Sequence, residues 1–350
     1  METFDVAVIG VGVMGAAAGR ALAKAGKTVV MLERFEVGHK RGSSHGPARI
    51  FRFSYREPEY VAMAQEALPL WLELEQEAGR PLLRKTGGLD VGDVVTEHAA
   101  ALHSCGATFE LLDGSEVNRR FPGFTLSPDE QALYQRDSSV IAAERAWRAF
   151  AQGAVAHGAD LREKTPVTRL SPQGDHVELV AGGQGIQAGT AVVTAGAWGR
   201  DLLAPVGIAL DVTPTRETVA YFRTRLEGLP VLVAWSKPAF YALPTAEFGL
   251  RAGEHIAGPP AHPDEEGRPD PASLERVARG VAKRFAGIDP EPHLVETCFY
   301  TNTSDEHFIL EREGPIVVGS PCSGHGFKFA PLIGQRLAAL CGAAVPTPSV

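Results

Sequence analysis

Cysteine is scarce in this chain and never paired in sequence. The four cysteines, Cys105, Cys298, Cys322 and Cys341, form no Cys-x-x-Cys unit. That argues against a zinc centre or a disulfide framework, so no metal is expected, and it fits a reducing, cytoplasmic setting. Basic charge is also in short supply. Lysine and arginine number 34 against 42 acidic residues, a net charge of −8, which is the wrong sign for a general nucleic-acid binder. No apolar run approaches the ~18 residues of a membrane span. The first strand is expected within a few residues of Met1, which leaves no room for a signal peptide. No internal repeat and no low-complexity tail is visible. What remains is a chain of 350 residues, long enough for two domains or one large one, with the composition of a globular enzyme.

Within it, the stretch Asp5 to Glu33 reads DVAVIGVGVMGAAAGRALAKAGKTVVMLE. Val6, Val8 and Ile9 predict a buried strand. Gly10, Gly12 and Gly15 follow in the GxGxxG spacing, then small and apolar residues that predict a helix stopped by Gly26. Thr28 to Leu32 predicts a second buried strand, ended by Glu33. Gly10 permits the tight turn, Gly12 leaves room for a pyrophosphate, and Gly15 lets helix and strand approach. The helix N-terminus offers unpaired N–H groups to phosphates. Glu33 stands where an acid accepts the ribose hydroxyls of an adenosine. NAD and FAD both satisfy this motif, and an ordinary glycine turn in an unrelated βαβ unit is the bland alternative.

After Glu33 comes a polar loop, RFEVGHKRGSSHGPARIFRFSYREPEY, containing Ser43, Ser44, Arg49 and Arg52. A helical turn over 48–53 would let both arginines face one way, whereas a solvated basic loop is equally compatible with the spacing. Helices are expected over Glu59–Ala78, with a kink at Pro69, over Ser115–Arg120 and over Glu144–His157. A further helix capped by Ser273 carries Leu274, Val277, Val281 and Phe285, and another spans Ala330–Leu340. Strands are expected at LDVG, at Asp160–Arg169, His176–Val180 and Thr190–Thr194, and within VAYFRT and FYALP. Others are expected over 294–300 and 308–310 and at Pro315–Gly319, with none after Val345. The small residues Ala195, Gly196 and Ala197, followed by Trp198, sit at a strand's carboxyl end, where open α/β sheets bind ligands.

Four segments carry a resemblance that spans nearly the whole chain: the N-terminal GxGxxG with Glu33, GSSHGPARIFR (Gly42–Arg52), CFYTNTSDEHFIL (Cys298–Leu310) and SGHGFKFAPLIGQRLA (Ser323–Ala338). In content and order they resemble the monomeric sarcosine oxidase and N-methyltryptophan oxidase family. The resemblance implies FAD and a two-domain α/β (α+β) fold of the glutathione-reductase and D-amino-acid-oxidase type. A Rossmann-like FAD-binding domain would comprise 1–80, 140–210 and 305–350. A mainly antiparallel substrate domain would comprise 81–139 and 211–304. It also implies a monomer that oxidises secondary-amine amino acids to imines, with oxygen reduced to hydrogen peroxide.

Residue by residue, the resemblance assigns Gly10, Gly12, Val13, Met14, Gly15, Glu33 and Arg34 to the ADP half of FAD. Ser43, Ser44, Arg49, Val167, Ala195, Gly196 and Trp198 join them along the cofactor. Gly324, His325, Gly326, Phe327 and Lys328 form a second glycine turn at the flavin ring, where backbone N–H groups and a lysine suit the charge of a reduced flavin. Arg52 and Lys328 match the pair that grips the substrate carboxylate, and Arg52 supplies a planar donor fork. Tyr241, Tyr300 and His255 match residues of the substrate cavity. Cys298 matches the cysteine joined covalently to flavin, a step that needs cations such as Arg49 to lower its pKa. Each has a plainer reading: a helix-start surface lysine for Lys328, a backbone-bonded histidine for His325, a buried free thiol for Cys298, packing tyrosines. Two departures stand out. Ala48 replaces a hydroxyl residue, and Arg251 stands where the family has the lysine that assists oxygen reduction. A dehydrogenase with another electron acceptor is therefore an alternative, as are a non-catalytic flavin-binding partner and an NAD-binding protein.

Overall fold

The computed structural model describes residues 1–344, and the question of a strand after Val345 lies outside them. Two eight-stranded sheets and one of three strands organise the chain. In the first sheet, Glu2–Ile9 runs parallel to Val29–Leu32 on one side and Gln184–Val193 on the other. Asp160–Arg162 extends it in parallel beyond Val29–Leu32, and Ile316–Ser320 lies parallel to the end of Gln184–Val193. Antiparallel strands Val167–Gln173, His176–Ala181 and Ile309–Glu313 complete it. A parallel sheet is covered on both faces, which is why VVML and IVV are continuous apolar runs and both strands are buried throughout. The helix Val13–Lys24 lies against this sheet, beside the helices Ala330–Leu340 and Ala143–Ala156. Small residues on both helices permit the approach to Ala330–Leu340: a Cβ on its Gly334 would stand 2.6 Å from the backbone of Ala17.

The second sheet runs in the order Leu294–Asn302, Thr213–Phe222, Gly249–His255, Ala239–Thr245, Val231–Ala234, Gly88–Val91, Gln131–Gln135, Glu110–Asp113. All neighbours are antiparallel except Val231–Ala234 with Gly88–Val91. Its strands alternate. Ala220 and Phe222 join Val277 and Val281 of the helix Pro271–Arg284, while Val219 and Tyr221 gather on the other face with Cys298. The expectation of a Rossmann-like half and a mainly antiparallel half is borne out. The small sheet, Ala48–Phe51, Ser139–Ala142 and Leu83–Lys85, completes the set.

Several local expectations are corrected. Residues 48–51 form a strand rather than a helical turn, because Ala48–Phe51 pairs with Ser139–Ala142, a partner that spacing cannot reveal. Asp270 caps the helix at Pro271, accepting from the N–H groups of Ala272 and Ser273. Ser273 is instead buried in the first turn and donates to Glu254 Oε2 at 2.7 Å. Asp160–Arg169 is two strands in one sheet, broken at 163–166. Val95–Ser104 is a helix that the sequence reading missed, its buried stripe being alanine and histidine among Val95 and Leu102. The helix expected over Glu59–Ala78 is present as Pro58–Ala78, with Pro69 inside it.

Candidate active site

Two cavities meet between the sheets. The larger, about 410 Å³, begins at the first glycine turn. Gly10 has φ +87°, and a Cβ there would stand 2.8 Å from Thr194 O; a Cβ on Gly15 would stand 2.0 Å from Gly10 O. Both positions therefore require glycine. Gly12 has only Ser44 Oγ near it, at 3.2 Å. Val13 N–H, at the start of its helix, donates to that hydroxyl at 3.0 Å. Glu33 is buried and accepts Val11 N–H at 2.8 Å on Oε2 and Phe35 N–H at 2.9 Å on Oε1. Burial raises its pKa, against the pull of those bonds. A carboxylate has about four lone-pair sites, so two backbone bonds leave capacity for sugar hydroxyls.

Gly10, Gly12, Val13, Met14, Glu33, Arg34, Ser43, Ser44, Val167, Ala195, Gly196 and Trp198 line this cavity, while Gly15 sits behind the turn. Gly324, Gly326 and Phe327 line it from the other end of the chain. A Cβ on Gly326 would stand 3.3 Å from Met14 Cε. The two glycine turns thus face one another across one cleft. A cradle with a helix start, an acid at one end and a lysine-bearing glycine turn at the other fits the pyrophosphate, ribose and ring of FAD.

The smaller cavity, about 100 Å³, shares Arg49, Tyr300, Gly324 and Phe327 with the larger. Arg49, Arg52, Tyr241, Arg251, His255, Cys298, Tyr300, His325 and Lys328 all line it. Gly324 at φ +73° lets the chain pass 2.2 Å, as a Cβ would see it, from the Tyr300 ring. The family model for FAD dependent oxidoreductases (DAO) matches residues 5–340.

The chain belongs to the FAD dependent oxidoreductase family. It is 34% identical to the human peroxisomal sarcosine oxidase over 96% of this chain and 91% of that protein. It is 32% identical to the monomeric sarcosine oxidase of an Arthrobacter species over 97% and 92% of the two chains. Among solved structures it is similar to the open form of NikD, an unusual amino acid oxidase essential for nikkomycin biosynthesis. That match has a TM-score of 0.88 and 28% identity over 97% of this chain and 94% of the other. With an FAD family shown, the NAD reading falls.

In this FAD-dependent oxidoreductase, Lys328 is no surface lysine. It lies in the turn Gly326–Phe329, 5% exposed, and Nζ donates to Tyr55 Oη and His325 O, both at 2.7 Å. Burial, followed by the charge of Arg52, holds its pKa well below the usual lysine range. His325 bonds Glu306 O at 3.0 Å and Tyr55 Oη at 3.1 Å, so the backbone-bonded reading holds while its ring also lines the cavity. Tyr55, which braces both residues, was missed by the sequence reading; an aromatic three residues from Arg52 gives no signal of that role. Arg49 is partly buried and ties the loop together, donating to the carbonyls of Ser43 and His45 at 2.7 Å and Ala48 at 2.8 Å. His255 Nε2 lies 3.5 Å from Glu306 Oε2. Desolvation raises the pKa values of the Tyr241 and Tyr300 phenols. For Cys298 the expectation of a lowered pKa is corrected. Burial of the thiol outweighs the pull of Arg49 and Arg251, and the net shift is upward.

Buried histidines make the fold acid-sensitive. Burial holds His39 and His98 at about 4 and His45 at about 3, and pushes His325 well below 6.5. Each takes up a proton on unfolding that the fold refuses. Their stabilisation is therefore fully present above pH 6.5 and is lost as pH falls toward the folded values. For His39 and His98 the slope is about 1.4 kcal/mol per pH unit each, offset in part by Glu33, whose raised pKa acts in the opposite direction. The thermal midpoint is expected to drop between pH 7 and pH 5, and less steeply in His98→Asn. Identical midpoints across that range contradict the assignment.

Proposed function

We propose that this oxidoreductase oxidises the C–N bond of a secondary-amine amino acid, such as sarcosine, another N-methyl amino acid or a cyclic imino acid, to an imine. Oxygen, reduced to hydrogen peroxide, is the electron acceptor in this reading. The observation that carries it is the smaller cavity: two buried basic side chains, Arg52 and Lys328, beside aromatic walls and open to the larger cavity. The names of the relatives point the same way, and they favour neither a dehydrogenase nor a non-catalytic flavin binder. FAD, when bound, supplies the hydride acceptor.

The chain's own groups do the rest. Arg52 presents Nη1, which is buried and lacks a hydrogen-bond partner, to the carboxylate. Lys328 Nζ holds its proton weakly when the site is dry; a carboxylate beside it raises that affinity. The proton comes from the entering ammonium, which leaves a neutral amine able to lose hydride from the adjacent carbon. Tyr241 and Tyr300 wall the reacting centre from water, and the fixed geometry supplies orientation.

In the same reading, residues 1–80, 140–210 and 305–350 hold FAD, and 81–139 with 211–304 hold substrate, the last six residues lying outside those described. The enzyme acts as a monomer in the cytoplasm, in keeping with its four free cysteines. Cys298 would be the residue that holds the flavin covalently, Arg49 and Arg251 opposing the burial that raises its thiol pKa. An anaerobic screen of N-alkyl and cyclic amino acids for flavin bleaching, followed by air, tests the reaction; no bleaching by any of them overturns it. Acid precipitation tests the bond, since yellow supernatant and white pellet mean that it is absent. Arg251→Lys is expected to speed reoxidation by oxygen about tenfold, because a compact ammonium focuses charge better than a guanidinium. The check is the return of flavin absorbance in stopped flow after air is admitted.

A further inference from the structure

Behind the smaller cavity stands a buried carboxylate that belongs to none of the motifs above. Asp90 lies on the strand Gly88–Val91, with Leu89 and Val91 turned into the apolar core and Asp90 on the opposite face. Its register partner is Val233, and Trp235, two residues on, shares that face. Asp90 is 3% exposed. Its Oδ1 accepts Trp235 Nε1–H at 2.8 Å and lies 3.8 Å from Arg52 Nη1. The indole lines the smaller cavity and covers the Arg52 guanidinium, 5.2 Å from the ring, with Tyr55 on that same cation at 4.5 Å. The His98 ring meets the indole edge-on at 5.2 Å and bonds Ser54 Oγ at 2.8 Å.

We propose that Asp90 is a positioning residue that sets the size of the amino acid accepted: it anchors the Trp235 indole across the smaller cavity, and the anchored indole confines that cavity to substrates as small as an N-methyl amino acid. The inference rests on the amine-oxidising reading above. A buried indole N–H needs an acceptor, and a carboxylate makes the bond charge-assisted. The carboxylate in turn needs a buried counter-charge, and Arg52 is that charge. The three groups lock one another: Arg52 stays aimed at the substrate carboxylate, and Trp235 stays a wall.

The experiment compares holoenzymes of the parent, Asp90→Asn, Asp90→Leu and Trp235→Ala. Asparagine keeps an oxygen for the indole, leucine removes both acceptor and charge, and alanine removes the wall. The readouts are kcat and KM for sarcosine and pipecolate, and Kd for acetate and benzoate from the perturbed absorbance of bound flavin, which needs no turnover. The parent is expected to prefer sarcosine. In Asp90→Leu and Trp235→Ala, kcat/KM for pipecolate relative to sarcosine is expected to rise about tenfold or more, through KM. The benzoate-to-acetate Kd ratio falls with it, while Asp90→Asn keeps the parent's ratios. Parental ratios in Asp90→Leu and Trp235→Ala overturn the proposal. So does equal relaxation in Asp90→Asn and Asp90→Leu, which makes charge the determinant. If Asp90→Leu loses flavin, the other two variants decide by the same ratios. Kd ratios that shift as expected in a protein whose flavin no amino acid bleaches support the wall and overturn the functional reading.

Discussion

Arg52→Met is expected to lower kcat/KM for the amino acid by about 4 kcal/mol, roughly a thousandfold, with the flavin still bound. Arg52 is 7% exposed, its guanidinium lies between the Tyr55 and Trp235 rings, and Nη1 has no hydrogen-bond partner of its own. Methionine fills much of the same space but leaves the arriving carboxylate without a donor fork. It also strands Asp90 without the counter-charge now 3.8 Å away. Arg52→Lys is expected to recover only part of the loss, since a point charge cannot make two parallel bonds. Steady-state kinetics beside the flavin spectrum and the thermal midpoint separate this from unfolding. A yellow, folded Arg52→Met protein with parental kcat/KM removes Arg52 from the carboxylate site.

The second large effect distinguishes two glycines of one motif. A Cβ on Gly12 meets only Ser44 Oγ, at 3.2 Å, and the backbone there is extended, with φ −60° and ψ 179°. Gly12→Val is therefore expected to fold and to purify nearly colourless, because its methyl groups occupy the cavity wall that the pyrophosphate approaches. A Cβ on Gly15 would sit 2.0 Å from Gly10 O and 2.6 Å from Thr194 Oγ1. That collision is with backbone at the junction of helix and sheet. It exceeds the ordinary overpacking penalty of about 1–3 kcal/mol and takes a large share of a typical total stability of about 5–15 kcal/mol. Gly15→Val is expected to lose cooperative unfolding altogether. Flavin absorbance per chain and a melting curve check both; a fully yellow Gly12→Val protein contradicts the placement of the phosphates.

The alternating strands show why some elements were readable and others were not. VAYF announces itself because Val219 and Tyr221 face one way and Ala220 and Phe222 the other. The segment 48–53 does not: its arginines and its pairing with Ser139–Ala142 pull against each other, and only the partner strand, about ninety residues away, decides between them. The helix Val95–Ser104 hides for a different reason, since alanines and a buried histidine give almost no hydrophobic contrast.

The sequence by itself determined the glycine turns, the parallel-sheet strands and the family, because each is written in local spacing and in steric limits that hold wherever the chain lies. It also placed basic and aromatic residues in the right segments. Only the tertiary structure decided which of them meet. Tyr55 on Lys328, Asp90 behind Arg52 and Trp235, and the burial that raises the Cys298 thiol despite two nearby arginines all arise between segments distant in sequence. Charge and solvent exposure depend on everything within several ångströms in space, and no local pattern encodes that neighbourhood.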